Sequence, residues 1–273
     1  MTQIKDIAIS KTVAADNDFL IMQSPVGETY KITKADLLQG LSSVGTADSN
    51  SDNLFSSVVL LLSNNNNFLD KSSLANSLSV SGITISSISK FGANSAYFAG
   101  SANILTTPNR NEFNLGNSDF TIEAWVYPTV LDGNPRYVIS KVGDLSNNSN
   151  RSYGLNVSAN NFQWYFTSDG INDSPINFPC NLQINNWYHI AVSRTNNNLY
   201  GFLNGVLISS TSHSTTYFNS SASLTIGSFG GYAANGYPQL SFIGNIEKNG
   251  LRVTKVCRYT SSFTVSTKAF STI

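Results

Sequence analysis

An antiparallel β-sandwich is what this chain encodes, on three grounds. Residues 120–128, Phe-Thr-Ile-Glu-Ala-Trp-Val-Tyr-Pro, alternate apolar with polar or aromatic positions at period two, as a strand with unlike faces must. The pattern returns in 186–194 and 199–207, the latter cut by Asn204-Gly205, whose tolerance of positive φ suits a tight hairpin turn. Turn signals (Asn94, Gly116-Asn117, Asp132-Gly133, Asn160-Asn161, Asp169-Gly170) recur at the spacing of an all-β sandwich.

The elements follow in order. Residues 1–45 form a small unit of their own. Strands at 18–24 and 29–32 flank a turn at 25–28. Thr33 then caps a short helix: Asp36 stands three residues on, Leu37, Leu38 and Leu41 give an apolar side, and Gly40 ends it. A unit of about 40 residues buries too little surface to stand alone, which points to oligomerisation or docking on a larger assembly. Residues 46–56, rich in Ser, Asn, Asp and Gly, read as a linker. The main domain spans 57–273. Its strands are expected at 58–62, 82–86, 96–99, 103–106, 120–127, 136–141, 152–157, 162–167, 187–194, 199–203, 206–211, 223–227 and 250–254.

Composition narrows the partners. Charged residues are 12% of the 273, about half the usual share, and Asn, Ser and Thr supply the polarity instead. Lys+Arg and Asp+Glu balance at 16 each, so there is no basic excess to draw nucleic acid or anionic lipid. The longest aliphatic run, 58–62, is far below the roughly 18 residues of a membrane span. The N-terminus lacks a signal-peptide core, so synthesis in a cytoplasm is expected, without membrane insertion. Cys180 and Cys257 have neither metal spacing nor a disulfide framework.

The order of several motifs resembles the laminin-G-like, concanavalin A-like jelly roll. They are Val59-Leu-Leu-Leu62, Lys90-Phe-Gly92, Ala96-Tyr-Phe-Ala-Gly100, 119–128, Trp187-Tyr-His-Ile-Ala-Val-Ser-Arg194, Phe202-Leu-Asn-Gly-Val206, Leu224-Thr-Ile-Gly227 and Leu251-Arg-Val-Thr254. The tail Cys257-Arg-Tyr-Thr-Ser-Ser-Phe263 is similar to a variant found in bacteriophage structural proteins. Tyr30-Lys-Ile-Thr-Lys-Ala-Asp-Leu-Leu38 is likewise similar to attachment segments of phage tail fibres. The resemblance implies a virion tail-fibre adhesin, a homotrimer attached to other tail or baseplate proteins, that binds a host-surface polysaccharide. The rival it implies is a structural baseplate or decoration protein. Some relatives bind calcium, which here would fall to Asp70 and Glu247. The pattern departs from the family at 244–252, where Lys248 and Asn249 intervene, and six to eight oxygen ligands are wanted. No other cofactor is expected.

Catalysis finds little support. Glycoside hydrolysis needs two carboxylates about 5–9.5 Å apart, or acids at i and i+2 on one strand face. Asp16 and Asp18 are the one such pair, outside the sandwich, and Glu123 stands alone on its strand. His189 and His213 lack a partner at ligand spacing, and there is no nucleophile elbow or phosphate loop. A non-enzyme is expected. Aromatic faces with amides and hydroxyls suit neutral sugars, and the loop residues Tyr217, Tyr232, Asn235 and Tyr237 are the candidates. Trp125 and Tyr165, which point away from their strands' apolar faces, complete the set.

Overall fold

The computed structural model describes residues 51–64, 67–92, 94–100, 103–143, 149–230 and 240–273 in full, and the backbone of 19–23 and 29–33. The chain divides into two compact units, Met1–Ser51 and Asp52–Ile273. In the first, β1 (Phe19–Gln23) pairs antiparallel with β2 (Thr29–Thr33), Ile21 opposite Lys31. The helix expected after Thr33 lies outside the described residues.

The second unit is two antiparallel sheets face to face. The front sheet has seven strands in the order β13 (Ser174–Pro179), β12 (Asn161–Phe166), β11 (Arg151–Val157), β10 (Arg136–Val142), β17 (Leu224–Ile226), β8 (Ile104–Thr107) and β5 (Ser79–Ser81). The back sheet has nine. Seven run β16 (Val206–Ser212), β15 (Asn198–Leu203), β14 (Tyr188–Thr195), β9 (Phe120–Pro128), β18 (Ile243–Thr254), β3 (Val58–Asn64) and β4 (Phe68–Asp70). The other two, β7 (Ser95–Ala99) and β6 (Thr84–Ser86), extend from the first half of β18. Among the described residues no helix is long and apolar enough to cross a membrane.

Period-two patterning places the core between the layers. From β9, Phe120, Ile122, Ala124 and Val126 point inward and are fully buried. They meet Phe162, Trp164 and Phe166 of β12, and the Trp164 ring stacks 5.1 Å from Phe120 and 5.5 Å from Tyr153. Gly201 on β15 is what lets β13 close over this core: a Cβ there would sit 2.1 Å from the Phe178 ring.

Both outer faces are partly covered as well. Residues 255–273 run across the back sheet, with Phe270 packing on Val58, Leu61 and Trp125. Asp52 donates its backbone N–H to the Ile273 carbonyl at 2.8 Å, so this tail ends beside the point where the chain enters the unit. Residues 52–56, read from sequence as linker, are therefore part of the sandwich unit.

Candidate functional site

Beneath the tail lies a cluster of buried charge. Glu123 has no exposed surface. Its Oε1 accepts from Arg252 Nε and Nη2 at 2.9 and 2.7 Å, and its Oε2 accepts from Tyr259 Oη at 3.0 Å. His189 Nε2 lies 3.1 Å from the same Oε2. Asp52 bridges Arg252 and Arg258, 2.7 Å from each. Burial pushes the Glu123 carboxyl up, but the Arg252 charge and the His189 contact outweigh it and hold the acid well below its ordinary range. Asp52 is held low in the same way, burial being overcome by Arg258 and Arg252. Both carboxylates are engaged by these partners, and through Tyr259 and Arg258 the cluster fastens the tail.

The front sheet's outer face is differently made. Asn156, Gln163 and Asn177 stand directly opposite one another on β11, β12 and β13. Asn156 Nδ2 donates to Gln163 Oε1 at 3.0 Å, and Gln163 Nε2 donates to Asn177 Oδ1 at 2.8 Å. The row runs from buried Asn156 to exposed Asn177 at the sheet's edge. Beside it Tyr137, Val142, Tyr165 and Phe229 form an apolar patch with Leu240 packed against it. Tyr165 Oη donates to Asp173 at 2.7 Å, and Arg151 Nη1 donates to the same oxygen at 2.6 Å.

The structure redistributes the candidate residues. Tyr232, Asn235 and Tyr237 lie outside the described residues. Tyr217 is corrected: instead of an exposed loop aromatic it is 2% exposed in the core, its Oη accepting from Trp164 Nε1 at 2.9 Å. Trp125 faces away from the core as expected, yet Phe270 and Phe91 cover it and no ring face is offered. Tyr165 is also buried, under Phe229, and burial together with the Asp173 contact raises its phenol. The two carboxylates considered for calcium are engaged by the protein's own donors. Asp70 accepts from the backbone N–H groups of Leu61, Ser72 and Asn76 and from the side chains of Ser72 and Asn76. Glu247 accepts from Ser89 Oγ and the Lys90 N–H, and burial raises its carboxyl. Among the described residues no group of three or more His, Cys, Asp or Glu is placed to hold a metal.

Sequence reasoning missed the amide row, although Gln163 is visible in it as one of the polar alternates of 161–167; its cross-strand partners needed the register. Trp187, half-buried, packs against the cluster of Val58, Leu61, Trp125 and Phe270, its ring 5.4 Å from that of Tyr127.

Two stacked antiparallel layers define a jelly-roll sandwich, and the sequence agrees. The chain belongs to the concanavalin A-like lectin/glucanases superfamily, whose profile matches residues 99–239, just over half of it. No curated protein matches the chain. Solved structures do. The binding domain of Paraclostridial Mosquitocidal Protein 1 is similar with a TM-score of 0.53 and 17% identity, over 77% of this chain and 50% of that one. The botulinum neurotoxin serotype G binding domain gives 0.56 and 17%, over 74% and 48%. The binding domain of botulinum neurotoxin DC, solved in complex with SialylT, gives 0.55 and 17%, over 76% and 50%. The chain thus spans about half the length of the structures it matches.

Proposed function

We propose that the front sheet's outer face binds an uncharged host-surface polysaccharide, and that the chain is a tail-fibre-like virion adhesin. In this reading residues 1–45 hold three copies together and dock them to other tail or baseplate proteins. The amide row carries the proposal. Carboxamides both donate and accept, which matches sugar hydroxyls, and the row leads to an exposed edge without a net charge. A neurotoxin binding domain that shares this fold over half its length was solved with a glycan, SialylT. One such site is weak, and linked copies raise avidity by roughly 10²–10⁴.

The activity is binding without bond cleavage. Beside the row, Asp173 has an oxygen engaged by both Tyr165 and Arg151, and Glu123 lies under the tail on the opposite outer face. Neither forms the carboxylate couple that hydrolysis wants. A structural virion protein is the rival, favoured by the exposed aliphatic side chains Val80 and Ile85. Binding separates the two. The full chain should adhere to intact host cells in competition with extracted surface polysaccharide. Replacing Gln163→Ala with Asn177→Ala should weaken that by about tenfold, two hydrogen bonds contributing about 0.5–1.5 kcal/mol each. Absence of adhesion, or adhesion indifferent to the double replacement, overturns the proposal.

A further inference from the structure

Four arginines are buried among the described residues, and three of them meet a carboxylate. Arg136 pairs with Asp132, Arg151 with Asp173, and Arg252 with Glu123 and Asp52. Arg194 is the most deeply buried of the four, at 1% exposed, and is the exception among the described residues. It stands opposite Phe120 and Leu199, both fully buried, so it points into the gap between the sheets. Its Nη1 donates to the Gly116 carbonyl at 3.1 Å, but its Nη2 has no hydrogen-bond partner. Buried Lys141 also lacks a carboxylate, yet Asn109 Oδ1 and the carbonyls of Ser220 and Ala222 accept its three N–H bonds. Nothing comparable completes Arg194.

A second unsatisfied group lies beside it. His213 follows β16, where its backbone N–H donates to the Asn197 carbonyl at 2.6 Å. It is 5% exposed, and its Nε2 is likewise without a partner. The rings of Phe166 and Tyr217 pack on it with centroids 4.5 and 5.4 Å away. Arg194 Cζ lies 5.0 Å from the centre of the same Tyr217 ring. Burial, with the Arg194 charge added, brings His213 down to about 4, so a neutral imidazole neighbours an uncompensated guanidinium. A buried charge is held at a cost unless a counter-charge meets it, and each lone buried polar atom adds to that cost.

We propose that Arg194 and His213 together bind a small inorganic anion of chloride size within this end of the core. Arg194 Nη2 donates one hydrogen bond and supplies the opposite charge, and His213 Nε2 donates a second when it carries the ring proton. A water molecule would satisfy the two nitrogens without cancelling the charge, and that difference selects an anion. Depth selects its size: groups 1% and 5% exposed lie out of reach of a carboxylate carried on a sugar or a peptide. The site is separate from the amide row, which stands on the outer face of the front sheet.

Chloride titrated against gluconate at constant ionic strength tests this on the full chain, with screening equal throughout. Tm should rise by about 3–5 °C when chloride reaches about ten times its half-saturating concentration. Arg194→Met keeps the side chain's length without its charge and should abolish the rise. If that variant does not fold, the His213 ring signals of the unaltered chain decide by nuclear magnetic resonance. They should shift saturably with chloride at pH 6, while those of His189, in the other charged cluster, stay in place. Their titration midpoint should also move up from about 4 by about one unit, because the anion counters the Arg194 charge that lowers it. A Tm equal in the two salts, a rise that Arg194→Met retains, or His213 signals indifferent to chloride overturns the proposal.

Discussion

Glu123 gathers its partners from three distant parts of the chain: His189 on β14, Arg252 on β18 and Tyr259 in the tail. Replacing it by Gln keeps the shape and removes the charge that Arg252 and Arg258 were buried against. Glu123→Gln should cost about 3–5 kcal/mol in denaturant unfolding. Its pH dependence follows from the lowered carboxyl. The stabilisation is complete above the unfolded-state value near 4.3 and is lost as pH falls through that region and below, so the variant should show a shallower acid slope. His213 acts in the next window up. Burial and the Arg194 charge bring it down to about 4, so the fold holds it neutral. The unfolded chain takes up the proton near 6.5, and stability therefore falls as pH drops from about 6.5 to 4. His213→Phe, packing beside Phe166 and Tyr217, should remove about 2–3 kcal/mol of that slope in melts recorded across the interval.

The tail is the element that turns an exposed sheet face into an interior, and the hairpin between β15 and β16 is where it docks. Asn204 and Gly205 both have positive φ, and a Cβ on Gly205 would sit 2.1 Å from the Phe263 carbonyl oxygen. Gly205→Ala should cost about 1–3 kcal/mol and speed amide exchange at Phe263 and Leu207, whose bonds hold the tail. Period two made most strands readable, from β3 to β18, because one face of each is apolar. β13 escaped it, since Pro175 and Pro179 argue against a strand in any single run, and β4 and β5 are each only three residues. Alternation also says which way a ring points without saying what covers it. Trp125 points outward, but Phe270 reaches it from the far end of the chain. Tyr217 sits in a polar stretch that looks exposed until Trp164 supplies its hydrogen-bond partner. Asp70 resembled a metal ligand because the amides of Leu61, Ser72 and Asn76 that surround it leave no mark in the sequence.

At the scale of the whole sandwich unit, its two broad faces have separate duties: the back face is closed over ion pairs and tail, while the front face carries amides out to its edge. The chain enters on the closed side, at Asp52, whose carboxylate lies 2.7 Å from both Arg252 and Arg258 and whose N–H meets Ile273. The same geometry makes the unit's starting residue measurable. Residues 52–273 expressed alone should unfold in one transition at the temperature of that transition in the full chain. Starting instead at residue 57 removes Asp52 and leaves two buried guanidinium groups sharing Glu123. That should cost about 3–5 kcal/mol, about 10 °C in Tm for a domain of this size. Asp52→Asn in the longer piece should reproduce most of the loss, since it keeps the backbone bond to Ile273 and discards only the charge. Equal melting temperatures for the two pieces would show that the ion pairs at Asp52 are ornaments of the surface, and that the closed side is held by Phe270 and its apolar neighbours alone.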